Sequence, residues 1–157
     1  MIDIRVVSAP SPAESEAEAG GDAVGRITVG DFEESFPMDL TYRGVEEYQG
    51  SWIRALKRLE RGDNATSCLV SSIKNPATSN FVFCWPLYRS GEVVYVQSSL
   101  IFLEELDEAF VPDEPWRSVG PRSKVDEDGN EISEWQTTVD ELRQFLHRQP
   151  GVGLGER

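Results

Sequence analysis

This sequence predicts an α+β fold, a single domain in which a mainly antiparallel sheet packs with two principal helices. Three observations carry the prediction. Helical periodicity is confined to two segments, 45–61 and 137–148. Elsewhere the apolar residues alternate in short runs divided by Gly, Pro, Asn and Asp, as in strands joined by turns. Strands that follow one another across short turns pair antiparallel. The 157 residues suit one domain, and a 39% hydrophobic fraction with four Trp, four Tyr and seven Phe is enough for one core.

Each element has its own reason. Residues 1–8 alternate Ile2, Ile4 and Val6 against Asp3 and Arg5, a half-buried strand. Residues 10–24 are Ala, Glu, Ser, Pro and Gly with almost nothing to bury, and are expected to form a flexible acidic loop. A strand resumes over 25–29. Another runs over 31–40, with Phe32, Phe36, Met38 and Leu40 at even steps after a Gly30–Asp31 turn.

Residues 45–61 form the better helix. Trp52, Leu56 and Leu59 share a face with Tyr48 and Ile53 beside them, and Arg58 and Arg61 suit the C-terminal end of the dipole before Gly62. Residues 67–73 read as a strand, and Asn75-Pro76 and Ser79-Asn80 bracket a turn. The densest apolar block follows, with strands over 81–88, 93–97 and 100–103 and a turn at 89–92. Both alternating faces of 81–88 are apolar, which predicts a central strand covered on both sides.

Pro112, Pro115 and Pro121 make 104–121 an extended loop. Asp128-Gly129 is a turn that Val125 and Ile132 would flank as a small hairpin. Trp135 leads into the last helix, over 137–148, with Thr138 as N-cap, Glu141 as its capping-box partner, and Val139, Leu142, Phe145 and Leu146 on the apolar face. Residues 149–157 read as a frayed tail.

Charge is the main functional signal. The chain carries a net −13, and the acids gather in residues 1–34 and 104–134 around a near-neutral body. Such a field repels nucleic acid and anionic membrane and attracts a basic protein or a cation. No run of about 18 apolar residues is present to span a membrane. The start, MIDIRVVSAP, lacks a basic residue followed by a long apolar stretch, so no signal peptide is expected and the cytoplasm is the expected compartment. Cys68 and Cys84 sit in apolar runs with neither zinc nor redox spacing, and read as buried thiols; a disulfide would need their strands to lie adjacent.

Catalytic signals are weak. His147 is the single histidine, placed to complement a helix C-terminus. No Gly-x-Ser-x-Gly elbow or phosphate-binding glycine loop is present. Residues 126–131 resemble a calcium loop in composition but lack its ligand order, and read as a hairpin tip. The pairs Glu33/Glu34 and Glu104/Glu105 could serve acid/base chemistry in a cleft, yet neighbours on a strand point to opposite sides. No catalytic residue, metal site or cofactor is assigned. Trp52 and Trp85 occupy core positions. Trp116, in the acidic loop, reads either as an exposed binding anchor or as the pin of its loop.

Several strings carry a resemblance: Ile27-Thr28-Val29-Gly30-Asp31-Phe32, Asn80-Phe81-Val82-Phe83-Cys84-Trp85-Pro86-Leu87-Tyr88-Arg89, Leu103-Glu104-Glu105-Leu106-Asp107-Glu108 and Glu131-Ile132-Ser133-Glu134-Trp135. Together they resemble the CdiI-type immunity proteins of bacterial contact-dependent growth inhibition systems, from the first strand to the last helix. Residues 10–22 are longer and more acidic than that pattern. The resemblance implies a non-enzymatic cytoplasmic inhibitor that binds the C-terminal toxin domain of its cognate effector, many such toxins being nucleases, RNases among them.

Charge, independently, suggests the face. A nuclease groove is basic because it holds phosphate, and a carboxylate-rich surface can mimic the polyanion. The expected partner-binding residues are Glu104, Glu105, Asp107, Glu108, Asp113 and Glu114 with Trp116 as anchor, and Asp31, Glu33 and Glu34 as a second patch. The protein is expected to be a monomer until it meets the toxin. Two other readings remain open: a metal-dependent enzyme using paired carboxylates, and an acidic module that inhibits another basic protein.

Overall fold

The computed structural model describes residues 1–8, 22–126 and 128–148. Three strands open the chain as a meander: β1 (Ile2–Ser8), β2 (Asp22–Val29) and β3 (Phe32–Asp39). β2 starts at Asp22, so the last three residues of the expected 10–24 loop are strand. The rest of that loop and the expected 149–157 tail lie outside the described residues. Ile2 and Ile4 face Val29 and Ile27 across the ladder, and all four are buried. Gly30 (φ 59°) takes the left-handed conformation that a two-residue turn requires between Val29 and Phe32. Gly25 pairs with Phe36, whose ring lies where a β-carbon on Gly25 would be, 2.5 Å away.

Helix α1 spans Val45–Arg61, as its periodicity predicts. Glu47 accepts from the Gly44 N–H at 3.0 Å. Tyr48, Trp52, Ala55, Leu56 and Leu59 are buried. The far end differs from expectation. Gly62 is extended rather than left-handed (φ −121°, ψ 122°), and a turn closed by the Ala65 N–H on the Gly62 carbonyl (3.1 Å) leads out of the helix. The buried Arg89 guanidinium caps the helix instead, donating from Nη1 to the carbonyls of Leu59 (3.1 Å) and Glu60 (2.7 Å). A cation there also meets the negative end of the helix dipole.

The second sheet holds β4 (Thr66–Ser72), β5 (Phe81–Ser90), β6 (Val93–Gln97), β7 (Ser99–Phe102) and β8 (Glu134–Thr138), all antiparallel. Its order is β4-β5-β6-β8, with β7 pairing the first half of β5 while β6 pairs the second. The β5–β6 turn is tighter than the 89–92 expected, two residues with Gly91 at φ 62°. β8 was not legible in the sequence: Gln136, Thr137 and Thr138 hide its alternation, and the ladder to β6 makes it a strand. Helix α2 (Val139–Arg148) follows at once. The Thr138 hydroxyl accepts from the Glu141 N–H at 3.2 Å, as an N-cap should. The Glu141 carboxylate takes the Thr137 hydroxyl at 2.7 Å.

The core lies between α1, α2 and the two sheets. Trp52 donates its indole N–H to the Val70 carbonyl (2.7 Å), and the Ser67 hydroxyl donates to the Ala55 carbonyl (2.7 Å), fixing α1 on β4. Tyr48 Oη donates to the Asp39 carbonyl (2.6 Å) and accepts the Ile73 N–H (2.9 Å), joining the ends of β3 and β4. Burial raises its pKa. Trp85 lies near Phe32, Phe36 and Trp135, and Phe32 stacks on Trp135 at 3.7 Å. These aromatics join the two sheets. Cys68 and Cys84 are buried free thiols, and burial pushes the Cys68 thiol up.

The expected loop over 104–121 contains two short 3-10 turns, Leu103–Glu105 and Pro115–Ser118. It covers the opposite face of the second sheet, where Tyr88 Oη donates to the Gly120 carbonyl at 3.1 Å. Tyr88 is pushed up to about 12 by burial. The small hairpin forms with Val125 bridged to Glu131. Among the described helices none is long and apolar enough to cross a membrane.

Candidate functional site

The sequence suggests that β5 is covered on both sides along its whole length. The structure corrects this at one end. Trp85, Leu87 and Arg89 are buried, whereas Phe81 and Phe83, on the same side of the strand, are 38% and 46% exposed. β7 supplies their partners. Phe81 pairs with Phe102 and Phe83 with Leu100, and those two are 47% and 39% exposed. The alternate residues Val82, Cys84 and Ile101 are buried. The result is a two-by-two patch of large apolar side chains on one face of a short ladder. Contiguous exposed apolar area of this kind is uncommon on a monomer and marks contact surfaces.

A carboxylate flanks the patch on the β3 side. Glu34 of β3 lines a hollow of about 300 Å³ together with Phe36, Phe83, Trp85 and Ser98. Trp85 is buried, and its indole N–H has no hydrogen-bond partner among the described residues. Glu105 lies across β7 towards the loop-covered face, in a hollow of about 310 Å³ whose walls include Tyr88, Ile101, Leu106 and Gly120 as well as Leu100 and Phe102. Glu104 stands exposed in the same turn. Lys74 is the base nearby, lining a third hollow with Phe81 and Phe83.

The ten residues expected to bind a partner do not form one surface. Glu104, Glu105, Asp107 and Glu108 are exposed, and their carboxylates have no ion-pair or hydrogen-bond partner among the described residues. Asp113 is spent internally, 3.3 Å from Arg54 and 3.7 Å from the buried Arg43. Glu114 pairs with Arg117 at 3.2 Å. Trp116 is half-buried, with the Arg58 guanidinium 4.9 Å from its ring centre. It pins the loop against α1, in a hollow walled by Arg54, Lys57, Arg58 and Arg61. The second patch also divides. Glu33 points away from Glu34, as alternation requires, and reaches Arg26 (4.0 Å) and Thr28 (3.5 Å). Asp31 is exposed in the β2–β3 turn.

Elsewhere, titratable groups serve the fold. Glu134 accepts Arg122 through Nε (2.7 Å) and Nη2 (2.6 Å) and Gln97 at 2.8 Å. The Arg122 guanidinium holds the Glu134 carboxyl below the usual carboxylate range. His147 is exposed at the end of α2. Asp126 accepts the N–H groups of Asp128 and Asn130, both at 2.9 Å, so this carboxylate organises its turn. Among the described residues no three His, Cys, Asp or Glu side chains gather closely enough to hold a metal ion.

The apolar patch was missed because alternation does not report what covers a face. One signal was available: Phe81 and Phe83 begin a strand whose neighbour β7 is short and followed directly by acids.

Comparison with known proteins places these features. The family model described as the CdiI N-terminal domain matches residues 38–145. The immunity protein CdiI of Enterobacter cloacae subsp. cloacae is 38% identical over 122 residues, 77% of this chain and 82% of that protein. A chain of the solved CdiA-CT/CdiI toxin and immunity complex from Enterobacter cloacae superposes with a TM-score of 0.80 at 31% identity, covering 98% of this chain and 99% of that one. On sequence and on structure alike, the chain belongs to the CdiI N-terminal domain family.

Proposed function

We propose that this chain is an immunity protein that binds and neutralises the C-terminal toxin domain of a contact-dependent growth inhibition effector. The observation that carries the reading is its likeness, over nearly its whole length, to a chain of a toxin and immunity complex. The protein acts by occupation and not by chemistry. It seats on the toxin and denies the substrate its path. Its site of action is the cytoplasm, where a delivered toxin would meet its target.

The surface supports a basic partner, and a nuclease is the basic toxin we favour. A net charge of −13 and the free carboxylates of Glu104, Glu105, Asp107 and Glu108 set up a field that a phosphate-binding groove would follow. Steering between opposite fields lifts association towards about 10⁸–10⁹ M⁻¹s⁻¹ at low salt. Fast capture matters against a toxin already inside the cell. The free protein is proposed to be a monomer.

Calorimetry with the toxin domain encoded beside this gene tests the proposal. The expected outcome is tight binding at low salt that weakens as salt rises. Tight binding insensitive to salt keeps the inhibitor and removes the polyanion-mimic mechanism. No binding at either salt overturns the function.

A further inference from the structure

We infer that the toxin is anchored on the apolar β5–β7 patch, with the Glu34 carboxylate at its rim. This placement rests on the immunity reading above and locates its contact surface. Phe81, Phe83, Leu100 and Phe102 form a contiguous face, and no other part of the described chain covers it. Tight interfaces concentrate their energy in such a centre, while surrounding polar groups exclude water and fix the approach. Glu34 lines a hollow that opens beside Phe83. A partner fitting both features presents an apolar side chain to the phenyl rings and a Lys or Arg to the Glu34 side.

The Glu34 hollow is the more selective half. Its walls include Phe36, Pro37, Phe83 and Trp85, and Glu34 provides its carboxylate. A lysine or arginine stem packs against rings while its charge meets a carboxylate. A second copy of this chain fits poorly. Self-pairing across the patch would set the Glu34 carboxylates of two chains beside one interface, each chain at −13.

The placement also separates recognition between two parts of the sequence. Phe81, Phe83, Leu100 and Phe102 lie inside the stretch matched by the family model, while Glu34 lies before it. The apolar centre then supplies affinity, and Glu34 supplies discrimination among toxins.

The test uses the full chain and the purified toxin domain encoded beside its gene. Three proteins are compared by stopped-flow and calorimetry: wild type, Phe83→Ser with Phe102→Ser, and Glu34→Lys. The double variant is expected to raise Kd by about 100-fold, almost wholly through faster dissociation. Glu34→Lys is expected to slow association by about 10-fold and flatten its salt dependence. Circular dichroism and unfolding curves establish that both variants fold. If the folded double variant stays within about 3-fold of wild type, the anchor is elsewhere and the inference falls, while the immunity function stands. If light scattering finds a wild-type dimer that the double variant dissociates, the patch belongs to a second copy, and the inference again falls. If wild type does not bind the toxin, function and placement fall together.

Discussion

β5 has two halves of similar composition and opposite surroundings. From Trp85 to Arg89 it lies between β4 and β6, with Phe32 and Phe36 of β3 against Trp85 and the end of α1 against Arg89. From Phe81 to Phe83 its side chains on that same side lie edge to face, 5.1 Å between ring centres, beside their β7 neighbours, and remain 38% and 46% exposed. Both halves are aromatic and apolar. The covered half is held by the fold, whereas the bare half leaves its apolar area open to a partner. Stability and binding should therefore separate along a single strand, and substitutions at its two ends test whether they do.

The largest effect is expected at Trp85→Ala. Its ring is 2% exposed and joins the two sheets through Phe32 and Phe36. Truncating such a side chain costs about 3–5 kcal/mol of stability, readable in urea or thermal unfolding. Arg89→Met should follow, at about 2–3 kcal/mol, because the Leu59 and Glu60 carbonyls at the end of α1 lose charged hydrogen bonds. Arg89→Met should leave toxin affinity per folded molecule unchanged, because Arg89 lines neither the patch nor the Glu34 hollow. If Arg89→Met weakens binding without lowering stability, the covered half serves the partner and not the fold.

The sequence made part of this difference legible. The helix α1, its apolar face and the alternation of β1 and β3 could be read directly, because local periodicity and tertiary burial agree there. The Thr138 cap was legible for the same reason. The two ends of β5 were not distinguishable, since Phe-Val-Phe and Trp-Pro-Leu-Tyr carry the same local pattern and differ only in what lies across space. β8 was hidden because only its ladder with β6 makes a strand of a polar pentapeptide. The acidic loop was legible as composition but not as geometry. Asp113 and Trp116 look as free as Asp107 and Glu108 until Arg43, Arg54 and Arg58 are seen beside them.

A smaller effect marks the boundary between the halves. Glu134 pairs with Gln97 at the end of β6, just before β7 begins, and Arg122 binds it with two hydrogen bonds. The folded carboxyl titrates below its unfolded value. Its contribution to stability is therefore complete above the ordinary glutamate pKa of about 4.3 and is lost as pH falls through the lower folded value. Glu134→Gln should lower stability at neutral pH by about 1 kcal/mol and remove that part of the acid dependence. Unfolding curves at pH 7 and below pH 4 measure both. An unchanged acid dependence would place the titrating group elsewhere.

The smallest stability effect is expected where the binding effect is greatest. Phe83→Ser with Phe102→Ser removes two rings that are already nearly half exposed, so little burial is lost on folding. The two positions lie on a diagonal of the ladder, with Leu100 opposite Phe83 and Phe81 opposite Phe102, so one cross-strand contact is weakened at each. Such pairs contribute about 0.2–1 kcal/mol each. The pair of substitutions should therefore cost less than about 2 kcal/mol in total, well under Trp85→Ala, two residues beyond Phe83 on the same strand. A larger loss would mean that the two halves of β5 are covered alike. A small loss, beside a large fall in toxin affinity, would assign one end of the strand to the fold and the other to the partner.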